Sequence, residues 1–395
     1  MSSRSVSVVV CGAGAAGMAA AIAAARAGAT TTLVESQRCV GGTVAHALIH
    51  TLGGLFDPEG NLVNPGLPAE LINRLESADS RVRRRRIGRL WVLSVAPETY
   101  QRVAEEWLRE TPRLTVLTGS RLTDSSWQER RVEQVAIVTP EGQQTIDAAA
   151  LIDATGGAHV VRSIAPDSLD CNHQAAAGLV VRLAGVKAGA LDFPKGVGLV
   201  RSIRTAADAG ELPPHFAHTW LDCGADPDEV YIKLFLPQLK ERQPCDTSQL
   251  VKTIFEFLRS FPGFENAVID RVGVPGIRDG GRIRGDHQLT IESLEQGETS
   301  AESSEIACFG SWPIEYWDPE NGVQMRTLSP PVYPIPLSAL QVQGWDNLWA
   351  VGKCLSADPL AQSSARVVGT CWAMGEAVGN AAARITAEEG TCEPR

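Results

Sequence analysis

The stretch "VVVCGAGAAG", residues 8–17, decides how this chain begins. A short apolar run passes into Gly12-x-Gly14-x-x-Gly17 and then into an Ala-rich segment, which is the sequence form of a strand, a tight turn and a helix. Each glycine has its own physical reason. Gly12 permits the turn, Gly14 lets the backbone approach a phosphate, and Gly17 lets the helix pack close to the strand. The helix N-terminus then faces a negative charge. Thr30–Val34 reads as the next strand and ends on Glu35, 18 positions past Gly17, where a carboxylate can accept from both ribose hydroxyls and disfavours a 2′-phosphate. A complete βαβ unit with a terminal carboxylate points to a dinucleotide, but does not say which one.

The composition bounds the rest. The chain has 395 residues, 44% apolar and 21% charged, as expected of a globular enzyme of two domains or of one domain carrying an insertion. A net charge of −10 argues against nucleic acid or an anionic membrane as a partner. Nine cysteines without a C-x-x-C pair or metal spacing suit a reducing compartment, and no metal is expected. Residues 15–29 are too short and too Ala-rich to span a bilayer, and Met1–Ser5 leads straight into a strand, so a cytoplasmic protein is expected. The one basic run, "RVRRRR" from Arg81 to Arg86, reads as a solvated loop.

Beyond Glu35 the chain departs from a simple nicotinamide domain. A turn-rich segment surrounds "HTLGG", residues 50–54; helices are expected at Pro68–Ala78 and Pro97–Glu110, and a strand at Leu114–Leu117. A hairpin from Val132 runs into "DATGG", residues 153–157. Residues 166–320 are mixed, with "GLVVRLAG", "VYIKLFLP" and a helix around Ile254–Leu258. From Asn347 a strand, a loop and an Ala-rich helix return.

Three separated segments carry a family likeness: "GAGAAG" with Glu35, Arg38 and Gly41-Gly42; "DATGG"; and "NLWAVGKCLSADPLAQSSARVVGTCWAMGEAVGNAA". Together they resemble the FAD-dependent oxidoreductases with a glutathione-reductase-like domain. The resemblance implies an α/β fold, with a Rossmann-type FAD-binding domain from residues 1–165 and 321–395 and an inserted mixed α+β substrate domain from 166–320. It also implies FAD contacts from Gly12, Gly14, Ala15, Ala16, Gly17, Glu35, Ser36, Arg38, Gly41, Gly42, Thr43, Ala154, Thr155, Gly156, Gly352, Arg366 and Val367. A helix starting near Val367 would aim its amides at the flavin C2 carbonyl, with Arg366 as electrostatic partner. Lys353 departs from the pattern, which often has Asp or Glu there.

No second G-x-G-x-x-G serves a nicotinamide, and no C-x4-C follows Gly42. The expected reaction is therefore dehydrogenation of a small organic substrate by hydride transfer to flavin N5, with oxygen or another acceptor recycling the electrons. For an Ala- and Arg-rich chain, the resemblance to this group implies a place in bacterial specialised metabolism. Such chemistry needs a cation and a base. Arg282 and Arg284, in the family-like segment "RDGGRIRGDHQLT", are the candidate cations; His287 and His50 are candidate bases, with Tyr333 and Glu315 behind them. "HTLGG" is also similar to the stretch by which fumarate reductase relatives attach FAD through a histidine, and Cys39 is another conceivable tether, but non-covalent FAD is expected. The alternative is an FAD-dependent monooxygenase or an NAD(P)H-dependent reductase acting on an aromatic or unsaturated small molecule, since "GGAHVVR", residues 156–162, resembles a segment of the aromatic hydroxylases.

Overall fold

The computed structural model describes residues 7–171, 175–236, 247–297 and 305–391. The chain starts with strand β1 (Ser7–Cys11), helix α1 (Ala15–Arg26) and strand β2 (Thr31–Val34), the last one residue inside the expected Thr30–Val34. β1 pairs in parallel with β2 (Val9 opposite Thr32) and with the end of strand Gly142–Asp153 (Val9 opposite Leu151). Leu114–Leu117 extends the sheet beyond β2, and Leu348–Ala350 joins Gly142–Asp153 in parallel. The fold is thus α/β around a parallel sheet. The same 12-residue strand pairs antiparallel through its first half with Arg131–Thr139, so one continuous strand links the parallel layer to an antiparallel hairpin.

The alanines of α1 have a packing reason. The helix lies between the sheet and the C-terminal helix, Val368–Thr391, and ten of its residues are buried. A Cβ on Gly375 or Gly379 would run into the backbone oxygens of Ala16 and Ala20, and would come within 2.8 and 2.9 Å of the Cβ atoms of Ala19 and Ala23. Small residues four apart on both helices therefore bring the two backbones together. The amphipathic helix Pro97–Glu110 is pinned to the same helix by stacked Trp107 and Trp372, 5.2 Å between centroids, and by a 2.9 Å bond from Trp372 Nε1 to the Tyr100 hydroxyl.

A second, wholly antiparallel sheet runs Trp220–Cys223, Val230–Leu236, Ala177–Ala184, Val268–Val272. One face is covered by helices Lys195–Asp208 and Ser248–Arg259, with Leu179, Val181, Ile232 and Leu234 packed against Ile203, Ile254 and Leu258. Period-two alternation turns Gly178, Val180, Tyr231, Lys233 and Phe235 to the other face, toward the residue 46–54 segment and Trp317.

Two expectations need correction. Arg83–Ile87 of the basic run is a strand, paired with Leu90–Ser94. The segment read as a loop before the last helix contains helix Pro359–Ala365, capped by Asp358, whose carboxylate accepts from Ala361 N at 2.8 Å. The boundary expected at 320–321 falls in the turn of a hairpin, Ile314–Asp318 with Gly322–Arg326. No helix among the described residues is long and apolar enough to cross a membrane.

Candidate functional site

The glycine turn and two neighbouring segments form one trough. Gly12 has φ +104°, and a Cβ there would lie 2.6 Å from Ala154 C and 2.9 Å from Thr155 Cα, so the turn rests directly on the "DATGG" strand end. Gly42, φ +52°, lies so close to α1 that its Cβ would be 2.7 Å from Gly14 Cα, and Gly41 N donates to Ala13 O at 2.9 Å. Only glycine satisfies both the backbone sign and the approach. Gly12, Gly14, Ala15, Gly42 and Thr43 keep accessible surface beside the free first-turn amides of α1, while Ala16 and Gly17 are buried. Those last two face packing partners, Gly375 and Ala154, so their contribution is to bring the elements together.

Glu35 closes the trough on one side. Its carboxylate is 7% exposed and accepts from Ala13 N at 2.6 Å, Gln37 N at 2.8 Å and Ser36 Oγ at 3.1 Å. Three donors leave part of its acceptor capacity for a ribose hydroxyl. Ser36 and Arg38 are exposed just beyond it. On the other side, buried Asp153 accepts from Thr155 N and Oγ1 and from Val160 N and Val161 N, at 2.7–3.0 Å. This fixes the turn at Ala154–Gly156. Lys353 lies over Gly156, where a Cβ would be 2.8 Å from Lys353 Cε, and donates to Ile277 O at 2.6 Å. Gly352, φ +71°, faces Ala16 and Cys371. A cradle that Cβ atoms would fill, with free helix amides and a partly unsatisfied carboxylate, fits a dinucleotide.

The start of the C-terminal helix meets the "HTLGG" segment backbone to backbone. Gly369 N donates to Gly53 O at 2.9 Å, and a Cβ on Gly54 would be 2.7 Å from Thr370 Oγ1, a buried hydroxyl without a hydrogen-bond partner among the described residues. The two glycines are thus required by close packing. His50 is buried, stacked on Tyr231 at 3.7 Å, with Nε2 3.1 Å from Asp222 Oδ2. Arg85, from the basic run, donates to the same oxygen at 2.5 Å. Burial pushes the His50 imidazole below its ordinary pKa against the pull of Asp222. Burial alone would raise the Asp222 carboxyl, but hydrogen bonds from His50 and Arg85 hold it at about 2.

Next to the same helix start lies a cluster of four charged side chains: Lys233, Arg278, Glu315 and Arg366. Glu315 accepts from the indoles of Trp312 and Trp317, at 3.0 and 2.9 Å, and Arg366 Nη2 donates to Glu315 O at 3.3 Å. Arg278 lies flat between Trp317, 3.5 Å from the ring centroid, and Gly178, where a Cβ would be 2.8 Å from Nη2; its Nη1 donates to Ala176 O at 3.0 Å. Trp317 in turn stacks on Phe235 at 5.6 Å. Lys233, opposite Val180 in the antiparallel sheet, makes no hydrogen bond or ion pair among the described residues. All four keep some accessible surface although burial is the largest influence on each. Burial lowers Lys233 and Arg366. Burial and then Arg366 bring Arg278 down to about 9, still charged at neutral pH. Glu315, which burial would raise, is held below its ordinary value by Lys233, Arg366 and the two indoles.

The expected catalytic residues are not gathered here. Arg282 is 0% exposed and its guanidinium is held by Asp279 and by Asp170, the latter at 3.1 Å, on paired strands Arg282–Ile283 and Leu169–Asp170. Two carboxylates hold the cation that was expected to face the substrate. Arg284 is exposed and donates to Asp167 O at 3.3 Å. His287 sits beside Ser338, to whose oxygen its backbone N donates, with Nε2 buried and unpartnered and burial lowering its pKa. Tyr333 is fully buried, its hydroxyl 2.6 Å from Ser364 Oγ and its pKa raised by burial, so it ties helix Pro359–Ala365 to the core. Glu315 and Arg366 were singled out by sequence; Lys233 and Arg278 were not. The signal for Lys233 was a lysine centred on one face of the alternating strand "VYIKLFLP".

A family model described as FAD dependent oxidoreductase matches residues 7–165 and 170–394. No curated protein sequence matches. Among solved structures, a geranylgeranyl bacteriochlorophyll reductase-like protein from Thermoplasma acidophilum is 12% identical, with a TM-score of 0.49 over 98% of this chain and 79% of that one. A probable FAD-dependent monooxygenase from Pseudomonas aeruginosa is 13% identical, with a TM-score of 0.47 over 98% and 88%. The p-nitrophenol 4-monooxygenase of Pseudomonas putida DLL-E4 is 13% identical, with a TM-score of 0.44 over 72% and 71%. The family match covers the glycine trough and every segment that contributes to the charged cluster, so it is the chain as a whole that belongs to the FAD dependent oxidoreductases, with FAD as its cofactor.

Proposed function

We propose that this oxidoreductase dehydrogenates a small organic substrate held at the cluster of Lys233, Arg278, Glu315 and Arg366. In this reading Gly12, Gly14, Ala15, Gly42 and Thr43 hold the diphosphate of FAD. Glu35, Ser36 and Arg38 hold the adenosine ribose side, and Arg366, Val367 and the first amides of the C-terminal helix take the flavin end. Gly41, Ala154, Thr155, Gly156 and Gly352 keep the trough narrow. Bound there, FAD would supply a two-electron centre that takes the hydride at N5, while the proton of the neighbouring O–H or N–H would pass to Glu315 and on to solvent. Residues 1–165 with 321–395 form the FAD-binding part and 166–320 the substrate-binding part, and oxygen or another acceptor takes the electrons onward.

The observation that carries the reading is the cluster itself. Three cations around one carboxylate, half-buried beside a helix N-terminus, stabilise the negative charge that builds when a C–H bond beside O–H or N–H is oxidised. Glu315, fixed by two indoles, keeps the cations from repelling one another. The wholly antiparallel second sheet also supports it, because a nicotinamide fold of the βαβ type needs parallel strands. Anaerobic stopped-flow tests the proposal. NADH and NADPH alone should leave the FAD absorbance unbleached on a catalytic timescale of about 1–1000 per second, and an organic substrate should bleach it. Rapid bleaching by either nicotinamide would overturn dehydrogenation in favour of a monooxygenase or reductase.

A further inference from the structure

We infer that the substrate is an anion, a carboxylate borne on a flat or compact organic frame, and that Arg278 and Lys233 receive the carboxylate while Trp317 walls the frame. The inference rests on reading the cluster as the substrate site. It begins with charge. Lys233, Arg278 and Arg366 carry three positive charges and Glu315 one negative; the next carboxylates, Asp222 near Lys233 and Asp279 near Arg366, are already bonded to Arg85 and Arg282, so among the described residues two positive charges of the cluster have no carboxylate of their own. Enclosed charges are retained where a partner compensates them. Arg366 lies at the start of the C-terminal helix, on the cofactor side, and its buried Nε has no partner. One excess charge is thereby assigned to negative charge developing on the cofactor. Lys233 and Arg278 come from the antiparallel sheet and the segment beside it, and theirs is the other.

The geometry of Arg278 suits a carboxylate. Trp317 on one face and Gly178 on the other hold the guanidinium plane, and only Nη1 is engaged, with Ala176 O. The remaining N–H groups form the planar fork that matches a carboxylate. Glycine at 178 is what allows the guanidinium to lie there, since a Cβ would be 2.8 Å from Nη2 and 2.9 Å from Nη1. Lys233 is placed on the same sheet face, paired opposite Val180, one alternation from Gly178. Its ammonium, without a hydrogen bond or ion pair among the described residues, supplies a point charge beside the fork.

Equilibrium titration of the holoenzyme tests this without turnover. Acetate and benzoate are the probes, acetamide and benzamide their neutral counterparts, and the FAD difference spectrum is the readout. At least one acid should give a saturable change, at least tenfold tighter than its amide. Arg278→Met and Lys233→Met should each weaken that acid by tenfold or more and leave the amide unchanged, and Arg278→Lys should restore part of the loss. Lys233→Met removes an unpartnered ammonium from the interior, and FAD content per chain reports whether each variant is folded. Acids and amides binding alike, no saturable change with either acid, or full acid affinity in folded Lys233→Met would overturn the inference. A chain that hydroxylates its substrate would still bind the acid, so failure here is distinguishable from failure of dehydrogenation.

Discussion

The glycine trough is made of backbone, whereas the charged cluster is made of long side chains. The trough's turn, helix start and carboxylate come from residues 12–43, with Ala154–Gly156 beneath, and glycines bring the pieces within van der Waals contact. The cluster draws on four segments: strand Val230–Leu236, the loop at Arg278, strand Ile314–Asp318 and the junction at Arg366. Spacing along the chain describes a site of the first kind. For a site of the second kind, neighbours in sequence point to opposite sides, and identity says little until the sheet is assembled.

Arg282→Met tests this contrast hardest. Removing the guanidinium takes from buried Asp279 the cation bonded to it, which costs about 3–5 kcal/mol. Urea denaturation should show that loss. Native stability with abolished flavin reduction would instead return Arg282 to the chemistry and break the division drawn above.

The legibility of the molecule follows the same line. β1, α1, β2 and helix Pro97–Glu110 were readable because a local period fixes each of them. The trough was readable because each glycine has a backbone reason within a few residues of its motif. Arg282 was read as a substrate-facing cation because a family-like segment places it near a candidate His, while Asp170, one of the carboxylates that hold it, is 112 residues away. Arg85 was read as part of a solvated run because its partner Asp222 is 137 residues away. Lys233 was passed over although its strand alternates cleanly, because the face it occupies becomes polar only when Arg278 and Glu315 arrive from elsewhere.

On the trough side, Glu35→Ala removes the acceptor for Ala13 N, Gln37 N and Ser36 Oγ together with its place beside the ribose. A charged acceptor at a mostly buried position contributes about 1.5–3 kcal/mol, so FAD affinity should fall by roughly tenfold to a hundredfold. Fluorescence titration of the apoprotein with FAD measures it. Undiminished affinity would show that Glu35 serves the turn alone.

Between the two regions sits the His50–Asp222–Arg85 group, and acid should separate its parts. The Asp222 carboxyl, at about 2 when folded, lies below its ordinary 3.8, so its stabilisation is present above pH 4 and is lost as pH falls through 2. The amount is about 2 kcal/mol. His50 acts in the same direction at higher pH: its folded pKa is depressed, so stability declines once pH drops below the ordinary 6.5 and the unfolded chain takes up the proton. Thermal melts from pH 7 to 2 should fall in both windows. Asp222→Asn should remove the lower step, and a melt profile flat to pH 2 in the parent protein would mean that the contact does not hold in solution.

The smallest expected effect is the sharpest control. Arg284 is two residues from Arg282 on the same chain segment, yet it is exposed and its side chain reaches only Asp167 O at 3.3 Å. A surface arginine bonded to one carbonyl carries little of the fold, and substitutions at such positions rarely move stability. Arg284→Ala should therefore leave FAD content, melting temperature and the rate of flavin reduction within about twofold of the parent. Alternation is the whole reason for the contrast, since residues two apart on a strand share a face only while the strand continues. Strand Arg282–Ile283 stops one residue short of Arg284, so the chain has turned outward by then. A rate lowered tenfold or more in Arg284→Ala, with FAD still bound, would place this segment at the substrate and remove the cluster of Lys233, Arg278, Glu315 and Arg366 from the centre of the reaction.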